Sequence, residues 1–167
     1  MRITATEEYG LRCLLDVARR VQEGKPTSIR GIAEKEGISM EYATKLMMRL
    51  RKGGLVKSVR GANGGYTLAG SVDEISLAVV MQILDSNDYM DQQQDGSGAK
   101  FCDHFTGLKQ ECVHKGNCSV RPLWVTVSGY LYGALKNITL KQLLDNESGS
   151  NQRVREAFKQ YAQGIPS

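Results

Sequence analysis

The chain has 167 residues, of which 24% are charged and 41% hydrophobic, with a formal net charge of +4; this suits one full-sized globular domain, or a small domain with an appendage. No apolar run approaches the ~18–20 residues that span a bilayer, which excludes a membrane-spanning helix. Acidic Glu7 and Glu8 stand where an export signal would carry its apolar core, so a cytoplasmic address is expected.

Charge is unevenly spread. Residues 1–68 hold 13 Lys+Arg against 7 Asp+Glu, whereas residues 69–167 hold 9 against 11. From Tyr42 to Val72 there is no carboxylate, while Lys45, Arg49, Arg51, Lys52, Lys57 and Arg60 all fall there. A basic stretch inside one structural unit is the footprint of a polyanion site.

The first helix is predicted to begin near Thr4 or Thr6, with Leu11, Leu14, Leu15 and Ala18 on one apolar face. It fades at Gly24-Lys25-Pro26. Cys13 shares a stripe with Val17 and Val21, which makes it a packed thiol rather than a ligand. Ser28 caps a short helix carrying Ile29, Ile32 and Ala33; Gly37 ends it, and Ser39 caps the next. Two helices joined by so tight a turn form a helix-turn-helix. The second buries Ala43, Leu46, Met47 and Leu50 and exposes Glu41, Tyr42, Lys45, Arg49 and Arg51.

Two β-prone runs, Leu55 to Val59 and Tyr66 to Leu68, flank the tip Arg60-Gly61-Ala62-Asn63-Gly64-Gly65. Directly after a helix-turn-helix, such a hairpin is a wing. A further helix spans Ser76 to Asp85, with apolar Val79, Val80, Ile83 and Leu84. Residues 86–98 are polar and acidic and are expected to be mobile. A longer helix, about 121–136, repeats Leu123, Val127, Leu131 and Leu135 with Trp124 and Tyr130 alongside, an apolar arc wide enough to need a partner, for which a second copy of the same helix would serve. Thr139 caps a last short helix, and the tail carries one weak helix, Asn151 to Ala162.

The predicted fold is therefore mainly α with a small β-hairpin wing: a winged helix-turn-helix DNA-binding domain (1–70), a dimerisation and sensor region (71–145) with its loop at 100–120, and a polar tail (146–167). Ser39, Glu41, Tyr42 and Lys45, near the start of the second helix, are placed to meet base edges in a major groove. Arg49, Arg51 and Lys52 lie toward phosphates. Arg60 is placed for a minor groove, beside Gly61, Gly64 and Gly65, which permit close approach. Specific binding to a double-stranded operator requires two copies on a two-fold site.

Of four cysteines, Cys102, Cys112 and Cys118 lie within 17 residues of one another. In a cytosolic chain this points to metal or redox chemistry before a structural disulfide. Three thiolates with one N/O ligand suit zinc or an iron–sulfur cluster; the short Cys-x₂₋₄-Cys knuckles of structural zinc are missing. A disulfide switch between Cys112 and Cys118 is the remaining alternative.

Met1-Arg2-Ile3-Thr4, Gly37-Ile38-Ser39, Leu50-Arg51-Lys52-Gly53-Gly54-Leu55-Val56, the wing motif Arg60 to Tyr66, Cys112-x₅-Cys118, Leu123-Trp124 and Asn137-Ile138-Thr139-Leu140 occur in this order. In these stretches, up to about residue 145, the chain resembles the bacterial winged-helix iron–sulfur transcriptional regulators of the IscR/NsrR family. The resemblance implies a homodimer built on the long helix. It also implies a [2Fe–2S] or [4Fe–4S] cluster on three cysteines and one other residue, through which cluster status, redox state or nitric oxide controls operator binding. Two departures stand out. Members with a sensor loop often space all three cysteines by five residues, whereas nine separate Cys102 from Cys112. The histidine that IscR-type members carry three residues after the last cysteine is Arg121 here, which cannot bind iron. In NsrR-type members a carboxylate on the partner's first helix completes the cluster, and the matching position is Glu8, with His114 and His104 in the loop as its rivals.

The leading expectation is a cluster-sensing regulator and not an enzyme. The alternative is the same regulator switched by thiol oxidation, zinc or a partner protein. An enzyme or electron carrier finds no support in a chain with two histidines, both in the loop, and no nucleotide fingerprint.

Overall fold

The computed structural model describes residues 3–61, 64–85, 111–144 and 147–163. In chain order these form α1 (Ala5–Gln22), α2 (Ile29–Glu36), α3 (Met40–Lys52), β1 (Val56–Val59), β2 (Gly65–Leu68), α4 (Leu77–Leu84), α5 (Arg121–Lys136), a 3₁₀ turn (Leu140–Leu143) and α6 (Glu147–Gln163). The mainly α plan with a hairpin wing and a long later helix matches the sequence reading.

Local chemistry explains where the helices start. Thr4 accepts the Glu7 amide while the Glu7 carboxylate accepts the Thr4 amide at 2.6 Å, a reciprocal capping box. Ser28, Ser39 and Ser76 each accept an amide of their own first turn, from Gly31, Tyr42 and Val79. Such a cap contributes about 1 kcal/mol by satisfying an otherwise orphaned donor. Gly37 closes α2 at φ 66°, a left-handed conformation that glycine adopts without strain. That one residue turns the chain from α2 into α3.

The main core joins α1, α2, α3, the hairpin and α4 through Leu14, Val17, Ile32, Ala43, Leu46, Met47, Leu50, Val56, Val80 and Leu84. The predicted inner face of α3 is buried as expected. On α4, however, Val79 points outward and Leu77 and Ala78 point in. One carboxylate lies within this core: Asp16 is 1% exposed and pairs with Lys35 of α2. Beside it Arg12 meets Glu36 at 2.6 Å, so two ion pairs bind α1 to α2.

In the wing, Val56 faces Leu68 and Val59 faces Gly65 in an antiparallel register. The other edge of β2 is occupied as well. Thr27, between α1 and α2, exchanges two backbone hydrogen bonds with Tyr66 at 2.9 and 2.8 Å. The wing is thereby anchored to the helical body.

The start of α4 is clasped to the end of α5. Leu77 N–H donates to Ile138 C=O and Leu140 N–H to Ile75 C=O, both at 2.8 Å, and Lys141 pairs with Asp73 at 2.6 Å. In the tail the helix expected over Asn151 to Ala162 is present, but it is longer than expected and packs against the body. α6 runs 17 residues and docks Ala157, Val154 and Phe158 against Leu77, Ile138, Leu135 and Leu143. Tyr161 enters the notch left by Gly133 and meets Tyr130 edge-on at 5.3 Å.

Candidate nucleic-acid interface and metal centre

The exposed face of α3 carries Glu41, Lys45, Met48 and Lys52 in one stripe, with Met40 and Arg51 beside it. Ser39 is exposed, and its Oγ holds the Tyr42 amide at 3.1 Å while its hydroxyl proton stays available. Glu41 and Lys45 pair with each other at 2.9 Å, and the Lys45 ammonium holds the Glu41 carboxyl below its usual range. Both are well exposed, so the pair is a weak one that a base edge can open. Met40 and Met48 are more than half exposed on this surface. In the sequence this surface is marked by its charges, and the two methionines stand out only by their eight-residue spacing.

Tyr42 is half-buried, and its ring meets Tyr9 of α1 edge-on, centroids 6.0 Å apart. Arg12 lies 5.4 Å over the same Tyr9 ring, and its hydrogen bond to Glu36 raises its pKa further. Arg51 and Lys52 are exposed, as a phosphate contact needs. Arg49 is different. It is half-buried, and its Nη1 donates to the Leu84 carbonyl at 2.9 Å, so the fold itself uses this predicted DNA contact.

On the wing, Lys57, Ser58 and Arg60 are exposed. Gly61 has φ 120°, a conformation closed to most side chains. Gly64 and Gly65, expected to permit close approach of DNA, answer first to the protein. A Cβ on Gly64 would stand 2.6 Å from the Val59 carbonyl oxygen, and one on Gly65 2.4 Å from that of Thr27. Ala62 and Asn63 lie outside the described residues.

Cys112 and Cys118 are free and half-buried. Between them the chain turns twice, with Lys115 N–H donating to Cys112 C=O and Asn117 N–H to His114 C=O, each at 3.0 Å. Gly116, at φ 90°, permits the second turn. Two accessible thiols outside any disulfide, in a curved loop, fit the soft donors that iron–sulfur clusters and zinc take. Lys115, between the two cysteines, pairs with Glu111 at 2.8 Å. His114 is exposed within the loop, and Glu8 is exposed on the first turn of α1. Cys102 and His104 lie outside the described residues. Among the described residues no three His, Cys, Asp or Glu side chains stand close enough to hold a metal. Cys13 is fully buried, and burial pushes its thiol up to about 12, as befits a packed residue and not a ligand.

Past the loop, α5 leaves an apolar stripe uncovered: Val120, Leu123, Trp124, Val127 and Tyr130 are each 39–56% exposed. Among the described residues no helix is long and apolar enough to cross a membrane.

Comparison with known proteins agrees with this architecture. A family model described as Rrf2, iron-dependent transcriptional regulator, matches residues 3–146. The HTH-type transcriptional regulator IscR of Serratia proteamaculans is 37% identical over 147 residues, covering 88% of this chain and 81% of that protein. The solved structure of T. potens IscR superposes with a TM-score of 0.64 at 30% identity, covering 86% of each chain. That of CymR, described as the global cysteine regulator of B. subtilis, gives 0.63 at 27% identity, covering 86% of this chain and 96% of the other.

Proposed function

Since the chain belongs to the Rrf2 family of transcriptional regulators, we propose that it is a cytoplasmic, homodimeric DNA-binding regulator, not an enzyme, whose operator affinity follows an iron–sulfur cluster on Cys102, Cys112 and Cys118. One observation carries the reading. The chain that presents an exposed basic recognition helix and wing also presents two free, half-buried thiols in a loop leading straight into α5.

The roles divide by region, residues 1–70 reading DNA and 71–145 sensing and dimerising. Ser39, Glu41, Tyr42 and Lys45 meet base edges, Arg51 and Lys52 meet phosphates, and Arg60 with Gly61 enters the minor groove. The stripe of α5 buries against its copy, giving two recognition helices one two-fold axis. Cys112, Cys118 and Cys102 supply the thiolates for a [2Fe–2S] or [4Fe–4S] cluster. The fourth ligand is Glu8 of the partner subunit, ahead of His114 and His104 of the same loop. When bound, the cluster supplies a redox-active centre sensitive to iron supply and oxidants. The chain's own part is to tie the loop to α5 and to the partner's α1, so that two arrangements of the winged domains differ in operator affinity.

The test is the UV–visible spectrum of anaerobically purified protein, with iron and acid-labile sulfide assayed on the same sample. Visible charge-transfer bands with matched iron and sulfide are expected. Cys112→Ala and Cys118→Ala are expected to lose both while keeping the wild-type circular dichroism. Colourless wild-type protein without sulfide, even after reconstitution, sinks the cluster. A second reading then takes over, in which Cys112 and Cys118 switch by oxidation. The two free, half-buried thiols favour it as the fallback, and thiol titration before and after oxidation would identify it.

A further inference from the structure

By charge alone Arg49 belongs with Arg51 and Lys52, three cations at the end of α3. Their surroundings differ. Arg51 and Lys52 are exposed, whereas Arg49 is half-buried and donates to the carbonyl of Leu84, the last residue of α4. That carbonyl sits at the negative end of a helix with no basic residue in its own last turn. A terminal carbonyl has no partner within its helix, and a guanidinium from a neighbouring helix gives it a charge-assisted hydrogen bond.

The bond closes a tightly fitted joint. Leu84 is fully buried against Gly10 of α1, where a Cβ would stand 2.4 Å from its Cδ2. Ile83 covers Gly53, the C-cap of α3, where a Cβ would stand 2.6 Å from the Ile83 side chain. The end of α4 is thus seated against both α1 and α3. At the other end of α3, Tyr42 lies on Tyr9 of α1. Tyr42 and Arg49 are seven residues apart, two turns, and so share one face of α3. Anchors at both ends of one face fix the rotation of a helix about its axis. With that rotation fixed, Glu41, Lys45 and Met48 face outward together.

We propose that Arg49 is a positioning residue for DNA recognition: it locks the rotation of α3 through the Leu84 carbonyl and makes no contact with phosphate. This rests on the DNA-reading half of the function above and is independent of the cluster.

Salt dependence separates the two roles, because each phosphate contact contributes about −0.9 to the slope of log K against log salt. Operator duplexes selected from random sequence and a scrambled duplex are titrated with wild type, Arg49→Gln, Arg49→Lys and Arg51→Ala. For Arg49→Gln the expected result is about tenfold weaker operator binding, with the wild-type slope and unchanged affinity for scrambled DNA. Arg51→Ala is expected to weaken both duplexes alike and to lose roughly one unit of slope. Should Arg49→Gln fail to fold, Arg49→Lys carries the test. Lysine keeps a phosphate contact as a point charge, but its ammonium ends one bond short of the Nη1 that donates to the carbonyl, so loss of operator preference at unchanged slope is expected. A shallower slope with equal loss on both duplexes, or a lysine variant that binds as wild type, overturns the assignment. So does a variant that binds as wild type and merely melts earlier. Wild type without any operator preference would remove the DNA-reading role itself, an outcome distinct from any variant's behaviour.

Discussion

A single buried carboxylate shows how little a residue's own chemistry says without its neighbour. Asp16 is 1% exposed, while its partner Lys35 keeps about half of its side chain in water. Removing the two ends therefore has unequal consequences. Lys35→Ala leaves a charge buried without its partner and is expected to cost about 3 kcal/mol. Asp16→Ala returns a lysine to solvent and is expected to cost less; urea denaturation of both variants checks the order. Cys13 gives a prediction in pH. Its thiol is pushed from an ordinary 9.0 to about 12, so above pH 9 the unfolded chain releases a proton that the folded chain retains. The thiol's contribution to stability is fully present below pH 9 and is lost as pH rises toward 12. The loss is about 1.4 kcal/mol per pH unit, and Cys13→Ala is expected to remove that part of the slope. A maleimide at pH 8 should accordingly label Cys112 and Cys118 in folded, cluster-free protein and reach Cys13 only after unfolding.

Among the elements, the wing is one whose placement depends on a missing side chain. Because a Cβ on Gly65 would meet the Thr27 carbonyl at 2.4 Å, Gly65→Ala is expected to prise β2 from the α1–α2 connection. An overpacking cost of about 1–3 kcal/mol should appear as a lower melting temperature and weaker operator binding. The sequence made the hairpin, the helix-turn-helix and α5 readable because caps, apolar spacing and turn glycines act within a few residues. It did not disclose Thr27 pairing with Tyr66, Asp16 pairing with Lys35, or α6 docking through Ala157 and Phe158, since each depends on where distant segments meet. The site divides in the same way. Cys112 and Cys118 were legible as a spaced pair and Lys45 as an outward cation. Arg49 and Arg51 were indistinguishable until α4 came beside one of them. Gly64 and Gly65 were read for DNA because their backbone neighbours were invisible.

For the whole molecule, the uncovered stripe of α5 is where the proposed dimer is tested. A half-exposed Trp124 among Leu123, Val127 and Tyr130 is surface that a second copy would remove from water at about 25 cal/mol per Å². Trp124→Glu is expected to yield a folded monomer by light scattering and to lose cooperative operator binding, whereas a variant that stays dimeric would move the interface elsewhere. The clasp between Ile75–Leu77 and Ile138–Leu140 has a different consequence, one of chain length. It closes a ring of some sixty residues at its base, and the entropy of ring closure grows only with the logarithm of size, about 0.6 kcal/mol for each doubling. A few residues gained or lost between α4 and α5 then leave stability almost untouched. Inside such a ring the distance between successive cysteines can drift, and the nine residues separating Cys102 from Cys112 are a change the scaffold beneath scarcely registers.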